Sequence, residues 1–269
     1  LFNGVMQLLP ECSKLKKLCL AGFNISNRSF FKLGEAFNAQ NGCISDLHVE
    51  NCKSELDEAF WTESLKRNSS LENVVFHSGD LMQEVAWEIM SAILFSPSKL
   101  KEISLTQIPP LDEDFESIVY NALPSALKHQ SSLESLTFLE DSSAARMVPR
   151  FGPFPHKVLK AIAQHPTLKT VDFSETEGLS ATVDTLLNFL VREKNTTLTA
   201  LSLSGRSSQD FKLKKFWIEC IPKLNHLQSV DFVHCVNITS DPLWESAVLP
   251  ALRQNMSISY VGSMNLCSK

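Results

Sequence analysis

One apolar phrase, LxxLxL, recurs along the chain and leaves few architectures open. It appears as Leu15-Leu18-Leu20, Ile44-Leu47-Val49, Leu71-Val74-Phe76, Leu100-Ile103-Leu105 and Leu133-Leu136-Phe138. It continues as Leu168-Val171-Phe173, Leu198-Leu201-Leu203 and Leu227-Val230-Phe232, with a degraded last copy at Ile258-Val261. Successive entry positions, the first apolar residue of each phrase, are 29, 27, 29, 33, 35, 30, 29 and 31 residues apart. Self-similarity at that period marks a tandem array in which each repeat is one supersecondary unit. Within a phrase the last two apolar residues alternate with polar ones, as in Ser135-Leu136-Thr137-Phe138, which is the period of a strand buried on one face. Between phrases the period changes. Val158, Ile162 and Ala163, and then Val183, Leu186, Leu187 and Leu190, follow the spacing of an amphipathic helix.

A strand and a helix in about 30 residues cannot bury their own apolar edges, so copies must stack, each burying its ladder against the next. The fold class expected is therefore α/β: a right-handed solenoid with a parallel sheet on its concave side and helices on its convex side. Residues 1–14 carry helical spacing at Val5, Leu8 and Leu9 and are expected to form a helical cap or a truncated repeat. Residues 15–269 are expected to form about nine units, the last one degraded, with no room after them for an appended catalytic domain.

These phrases resemble the leucine-rich repeat family, in particular its ribonuclease-inhibitor-like subclass. Cys52 and Cys235 stand eight residues after an entry position, where that subclass prefers Asn or Cys. Phe23, Gly79, Ile108, Asp141, Thr176, Arg206 and Leu266 depart from the preference. The resemblance covers about residues 15–263 and implies a horseshoe that recognises a protein partner. Ribonuclease-inhibitor-like proteins imply occlusion of an enzyme's active site. The irregular units also resemble repeat effectors of intracellular bacteria, which would deliver the chain into a host cytosol. One branch of the subclass activates GTPases, for which Asn24, Arg28 or Asn51 would be the candidates, and a ubiquitin-ligase adaptor is the third reading.

Charge and cysteine usage narrow the partners. A formal charge of -5 argues against wrapping nucleic acid or coating an anionic membrane, both of which need excess Lys and Arg. No apolar run approaches the roughly 20 residues that span a bilayer, and no basic-then-apolar leader opens the sequence. The seven Cys are irregularly spaced with no CxxC pair, which fits neither a disulfide framework nor a zinc ribbon. Reduced, mostly buried thiols and a cytoplasmic location are expected. Six N-x-S/T matches occur, at Asn24, Asn27, Asn68, Asn195, Asn237 and Asn255. Three of these, Asn68, Asn195 and Asn255, stand three residues before an entry position, where a turn role is expected in place of a glycan.

Alternation places the residues two, four and six after each entry position on the exposed face. There Asp46, Glu50, Glu102, Asp172 and Asp231 face the single Lys17, with His48, His77, Thr106 and Tyr260 among them and Glu140 at the next position along. The longest spacing holds the stretch 140–155, whose Arg146, Arg150, Phe151 and Phe154 are the nearest set of the residue types that anchor interfaces. These fourteen residues, from Asp46 to Tyr260, are the candidate partner-binding set, and the partner expected is a protein with a basic surface. No P-loop, GxGxxG, HExxH or GxSxG is present, so no catalytic residue, metal or cofactor is expected. The closest approach to a metal set is His48 and His77 on neighbouring strands with Asp46 and Glu50. The reading is a non-enzymatic binding scaffold, monomeric in isolation.

Overall fold

Alternation within the phrases produces strands at the expected positions. A computed structural model describes residues 8–22, 24–25, 34–36, 43–50, 52–54, 65, 68–77, 92–106, 122–139, 156–173, 179–202, 216–231 and 244–262. The chain divides into two compact units, Leu1–Leu133 and Glu134–Lys269.

In the first unit β1 (Lys17–Ala21), β3 (Asp46–Glu50), β5 (Asn73–His77) and β6 (Glu102–Thr106) pair in parallel in that order. Register brings Leu18, Leu47, Val74 and Ile103 side by side, and likewise Leu20, Val49, Phe76 and Leu105, so the apolar ladder is continuous and buried. A second, two-residue parallel pair joins β2 (Asn24–Ile25) to β4 (Lys53–Ser54). Gly22 makes the turn from β1 toward β2 with φ +69°, a left-handed conformation that disfavours any side chain even though a Cβ there meets nothing within 4 Å. Cys52, eight residues after its entry position, is buried and directs its thiol at the Leu20 carbonyl 3.4 Å away, one repeat back. Before the first phrase, Leu9 is buried in a short 3-10 turn (Leu9–Glu11) while Leu8 is exposed. The helix α1 (122–129) buries Leu123, Ala126 and Leu127.

In the second unit β7 (Ser135–Leu139), β8 (Thr170–Asp172), β9 (Ala200–Ser202), β10 (Ser229–Asp231) and β11 (Tyr260–Gly262) are parallel neighbours in sequence order. Leu136, Val171, Leu201 and Val230 form the buried row, and the rings of Phe138 and Phe173 stack at 5.7 Å with their planes 8° apart. Val261 and Ile258 of the degraded phrase are half-exposed, as befits a row with a described neighbour on one side alone. The helices α2 (His156–Ala163) and α3 (Leu179–Arg192) pack on each other. From α2 they bury Val158, Leu159 and Ile162, and from α3 Leu186, Leu187 and Leu190. The side chain of Val183 lies outside the described residues.

The next two connections differ from the regular helix that periodicity predicts. Each contains a π-helical turn, Phe216–Cys220 and Trp244–Val248, followed by a 3-10 turn (Ile221–Lys223) in the first and by α4 (Leu249–Gln254) in the second. Pro222 and Pro250 lie two residues beyond those π-turns. Each proline removes an amide donor and crowds the carbonyl four residues back, which disfavours the tighter α-helical turn there.

Buried and half-buried polar side chains close the passage from helix to strand. Asn68 Oδ1 accepts from the Ser70 and Leu71 amides at 3.1 and 2.9 Å, and Asn195 Oδ1 accepts from Thr197 and Leu198 at 3.2 and 2.9 Å. Asn195 Nδ2 donates to the Ala163 carbonyl at the end of α2 (2.8 Å), and Asn255 Nδ2 to the Ile221 and Leu224 carbonyls (2.7 and 2.9 Å). The Ala163 carbonyl ends its helix, while those of Ile221 and Leu224 also accept from the Leu224 and Leu227 amides at 3.1 and 2.9 Å, so Asn255 adds a second donor to each. The repeat entered at Leu100 has Pro97 in place of the asparagine, and its neighbour compensates. Gln130 Oε1 accepts from the Leu100 amide (3.3 Å) while its Nε2 donates to the Leu94 and Ser96 carbonyls (2.8 and 3.1 Å). One residue before the entry position, Ser70, Ser132 and Ser257 donate to the Ile44, Leu100 and Leu227 carbonyls of the preceding repeat at 2.9, 3.1 and 2.7 Å.

Two substitutions test this packing by urea denaturation. Leu136→Ala, at a site 1% exposed, is expected to cost about 2 to 5 kcal/mol as a cavity, and a loss under about 0.5 kcal/mol contradicts the burial. Asn255→Ala removes two donated bonds and the acceptor of the Ser257 amide and is expected to cost about 2 to 4 kcal/mol, whereas the exposed Met256→Ala beside it is expected to be near neutral.

Candidate functional site

Because side chains alternate along each strand, the face opposite the apolar ladder is built from the remaining strand residues. In the first unit one row runs Lys17, Asp46, Asn73 and Glu102, and the next Cys19, His48, Val75 and Ser104. Glu50 follows Ala21 in register, and His77 pairs with Thr106. In the second unit Ser135, Thr170, Ala200, Ser229 and Tyr260 form one row, and Thr137, Asp172, Ser202, Asp231 and Gly262 the next. Neighbours within a row are about 4.8 Å apart. Lys17, Cys19, Ala21, Glu102 and Tyr260 are exposed, and Asp46, His48, Glu50, His77, Asp172 and Asp231 half-exposed. Structure and sequence therefore agree on which described residues share this face. Of Thr106 the backbone pairing is described. Glu140, Arg146, Arg150, Phe151 and Phe154 lie outside the described residues, as do Arg28 and Asn51.

Asp46 is held by two side-chain hydrogen bonds. The Ser45 hydroxyl donates to Oδ2 and the Asn73 amide to Oδ1 at 2.8 Å. Those two bonds, the Ser45 one foremost, hold its carboxyl below the usual carboxylate range, and the charges of Lys17 and Lys16 act in the same direction. Asp46 is thus a pre-oriented anion. On the same strand His48 Nε2 lies 3.4 Å from Glu50 Oε2. His48 is in register with Val75, so His77 is displaced two residues along from it. Among the described residues no group of three or more His, Cys, Asp or Glu side chains is placed to hold a metal ion.

Charge is arranged differently one residue nearer the strand entry. Lys101 Nζ meets Glu72 Oε2 at 2.6 Å and Lys169 Nζ meets Glu134 Oε2 at 2.7 Å, both exposed and both between consecutive repeats. These pairs, and the Ser45–Asp46–Asn73 set, escaped the sequence reading. Their signal was present: the same offset from the entry position holds Glu72, Lys101, Glu134 and Lys169, alternating in sign.

Of the described cysteines Cys52 and Cys220 are buried, as expected, but Cys12 and Cys19 are exposed and Cys43 is half-exposed. Cys19 is exposed because it belongs to the polar face of β1, and Cys12 because it ends a turn. His165, three residues before its entry position, is buried and accepts from the Thr167 amide at 3.4 Å, a turn role. No helix among the described residues is long and apolar enough to cross a membrane. No protein-family model matches the chain, and no curated protein matches it either.

The depressed acidity of Asp46 has a signed consequence. A carboxylate whose folded-state pKa lies below its unfolded value of about 3.9 contributes stability above that pH, and the contribution is lost as pH falls through the folded value. Asp46→Asn is therefore expected to be less stable than wild type at pH 6, with the gap closing below about pH 4. Denaturation midpoints of the two chains across pH 3 to 7 check this, and a gap independent of pH contradicts it.

Proposed function

We propose that the chain is a leucine-rich-repeat protein of the ribonuclease-inhibitor-like kind, a right-handed solenoid with its sheet concave and its helices convex. It acts by binding, not catalysis, in the cytoplasm and as a monomer until it meets its partner. Supporting the fold is the repeat period together with the parallel, in-register strands; supporting the function is the polar sheet face. That face is one observation with two parts: rows of exposed and half-exposed side chains in strict register, and an excess of carboxylate among them. A stacked array that leaves such a face open offers the usual recognition surface of repeat proteins.

The partner is a protein with a basic surface. Asp46, Glu50, Glu102, Asp172 and Asp231 provide complementarity, His48, His77, Thr106 and Tyr260 provide hydrogen bonds and contact area, and the stretch with Glu140, Arg146, Arg150, Phe151 and Phe154 provides the anchors. Exposed charges are screened and contribute little affinity each, so their effect is on association rate and partner choice. Affinity must come from the aromatic and arginine side chains. If the partner is an enzyme, binding occludes its active site.

Capture with the whole chain as bait, followed by surface plasmon resonance at two salt concentrations, tests the assignment. Asp172→Lys with Asp231→Lys is expected to slow association several-fold at low salt and to flatten its salt dependence. Phe151→Ala is expected to speed dissociation about tenfold or more, the scale of a hot-spot truncation. Unchanged rates for both variants would move the interface to the helices or to a terminus. Stimulated GTP hydrolysis by a captured GTPase, lost in Asn51→Ala or Arg28→Ala, would replace occlusion with activation.

A further inference from the structure

The residue just before an entry position has a fixed task, which Ser70, Ser132 and Ser257 perform with a hydroxyl. Cys43 stands at that position and performs it with a thiol, Sγ lying 3.0 Å from the Leu15 carbonyl oxygen. The turn therefore asks for a donor, and an oxygen suffices; sulfur adds a chemistry the turn does not use. That sulfur also reaches the backbone of a second cysteine, 3.6 Å from the carbonyl oxygen of Cys12. Cys12 ends the 3-10 turn Leu9–Glu11, held by its own amide on the Leu9 carbonyl at 3.0 Å, and its side chain is exposed. Cys43 is half-exposed. A sulfur 3.6 Å from another cysteine's carbonyl oxygen lies within about 6 Å of that residue's Cα, so a new rotamer of the exposed Cys12 side chain with a small backbone adjustment would bring the two sulfurs together.

We propose that Cys12 and Cys43 form a reversible disulfide with a low-molecular-weight disulfide oxidant, of which oxidised glutathione is the probe. Cys12 is the accessible nucleophile. Its thiolate attacks one sulfur of oxidised glutathione, forming a mixed disulfide and releasing one reduced glutathione. The Cys43 thiolate then attacks the Cys12 sulfur, forming the Cys12–Cys43 bond and releasing the second reduced glutathione. Two protein thiols are oxidised, one disulfide is reduced to two thiols, and the two protons pass to the departing glutathione sulfurs. The bond joins residues 31 apart in sequence and encloses β1, pinning the turn Leu9–Glu11 to the lead-in of β3. Closing that loop restricts the unfolded chain more than the folded one. The switch thus secures the first strand of the sheet under oxidising conditions and releases it under reducing ones. Cys19 is exposed too, but its register partner is His48, and Cys52 and Cys220 are buried.

The test equilibrates the full chain in glutathione buffers of increasing oxidised fraction, traps free thiols by alkylation, and maps linked peptides by mass spectrometry. Expected are a Cys12–Cys43 linked peptide, a whole-chain mass lower by two hydrogens, and an upward shift in Tm that dithiothreitol reverses. Cys43→Ser keeps the donor that Ser70 and Ser132 use, so it folds, and it is expected to lose both the link and the Tm shift; Cys19→Ser is expected to keep both. Glutathione adducts without a Cys12–Cys43 link, a link through Cys19 instead, or a Tm shift that survives in Cys43→Ser would each overturn the proposal.

Discussion

Short parallel strands fed by helices bring a recurring difficulty: each helix ends and each strand begins inside the stack, where peptide groups have no water. Leaving one such group unpaired costs about as much as a typical core mutation. Buried and half-buried amide side chains resolve it here. Asn195 and Asn255 span the gap from the preceding helix end to their own strand entry, and Asn68 receives the hydroxyl of Ser98 from the following repeat at 2.8 Å. The strand ladder starts immediately afterwards, with Glu72 donating to the Ser45 carbonyl, Thr199 to Lys169 and Gln228 to Thr199, each at 2.8 Å. Apolar burial supplies the driving force, but this polar seam decides the level at which one repeat sits on the next. Pro97 shows how firmly it is enforced, since the duty its repeat cannot perform passes to Gln130 one repeat later.

Register follows from that seam, and register was what the sequence displayed best. Once Leu47, Val74 and Ile103 are aligned, a two-residue period leaves no choice about where Asp46, Asn73 and Glu102 face. Strand positions, the polar face and the turn roles of Asn68, Asn195 and Asn255 were legible for this reason. Three things were not. The π-turns before Pro222 and Pro250 depend on where a missing amide falls within a helix, which apolar spacing does not encode. Gln130 performs the asparagine's task through a longer side chain, so residue type hides the equivalence. The Ser45–Asp46–Asn73 set needs contacts across strands, which a single phrase cannot reveal.

The sheet face also shows a division of labour in its charge. Nearest the strand entry, Glu72 with Lys101 and Glu134 with Lys169 neutralise each other between consecutive repeats. Farther along, the strand rows hold Asp46, Glu50, Glu102, Asp172 and Asp231, and among the described residues Lys17 is the one Lys or Arg in those rows. The first arrangement stitches repeats together weakly, while the second leaves a field that extends into solvent over roughly a Debye length. Charge-balanced pairs therefore lie beside strand rows that, among the described residues, hold more carboxylate than Lys or Arg.

The seam also accounts for a pattern with a different usual meaning. Asn68-Ser69-Ser70, Asn195-Thr196-Thr197 and Asn255-Met256-Ser257 have the spelling that oligosaccharyl transfer recognises, yet each letter is set by the stack. The asparagine closes the turn, and the hydroxyl two residues on reaches the preceding repeat, from Thr197 to the His165 carbonyl at 3.2 Å and from Ser257 to Leu227 at 2.7 Å. In Asn255 the nitrogen that would carry a sugar donates to two carbonyls, and the residue is 1% exposed. A glycan attached there before folding would keep its repeat from seating on the one before it. In this chain the spelling is a by-product of stacking, and at the buried Asn68 and Asn255 sugar and fold are mutually exclusive.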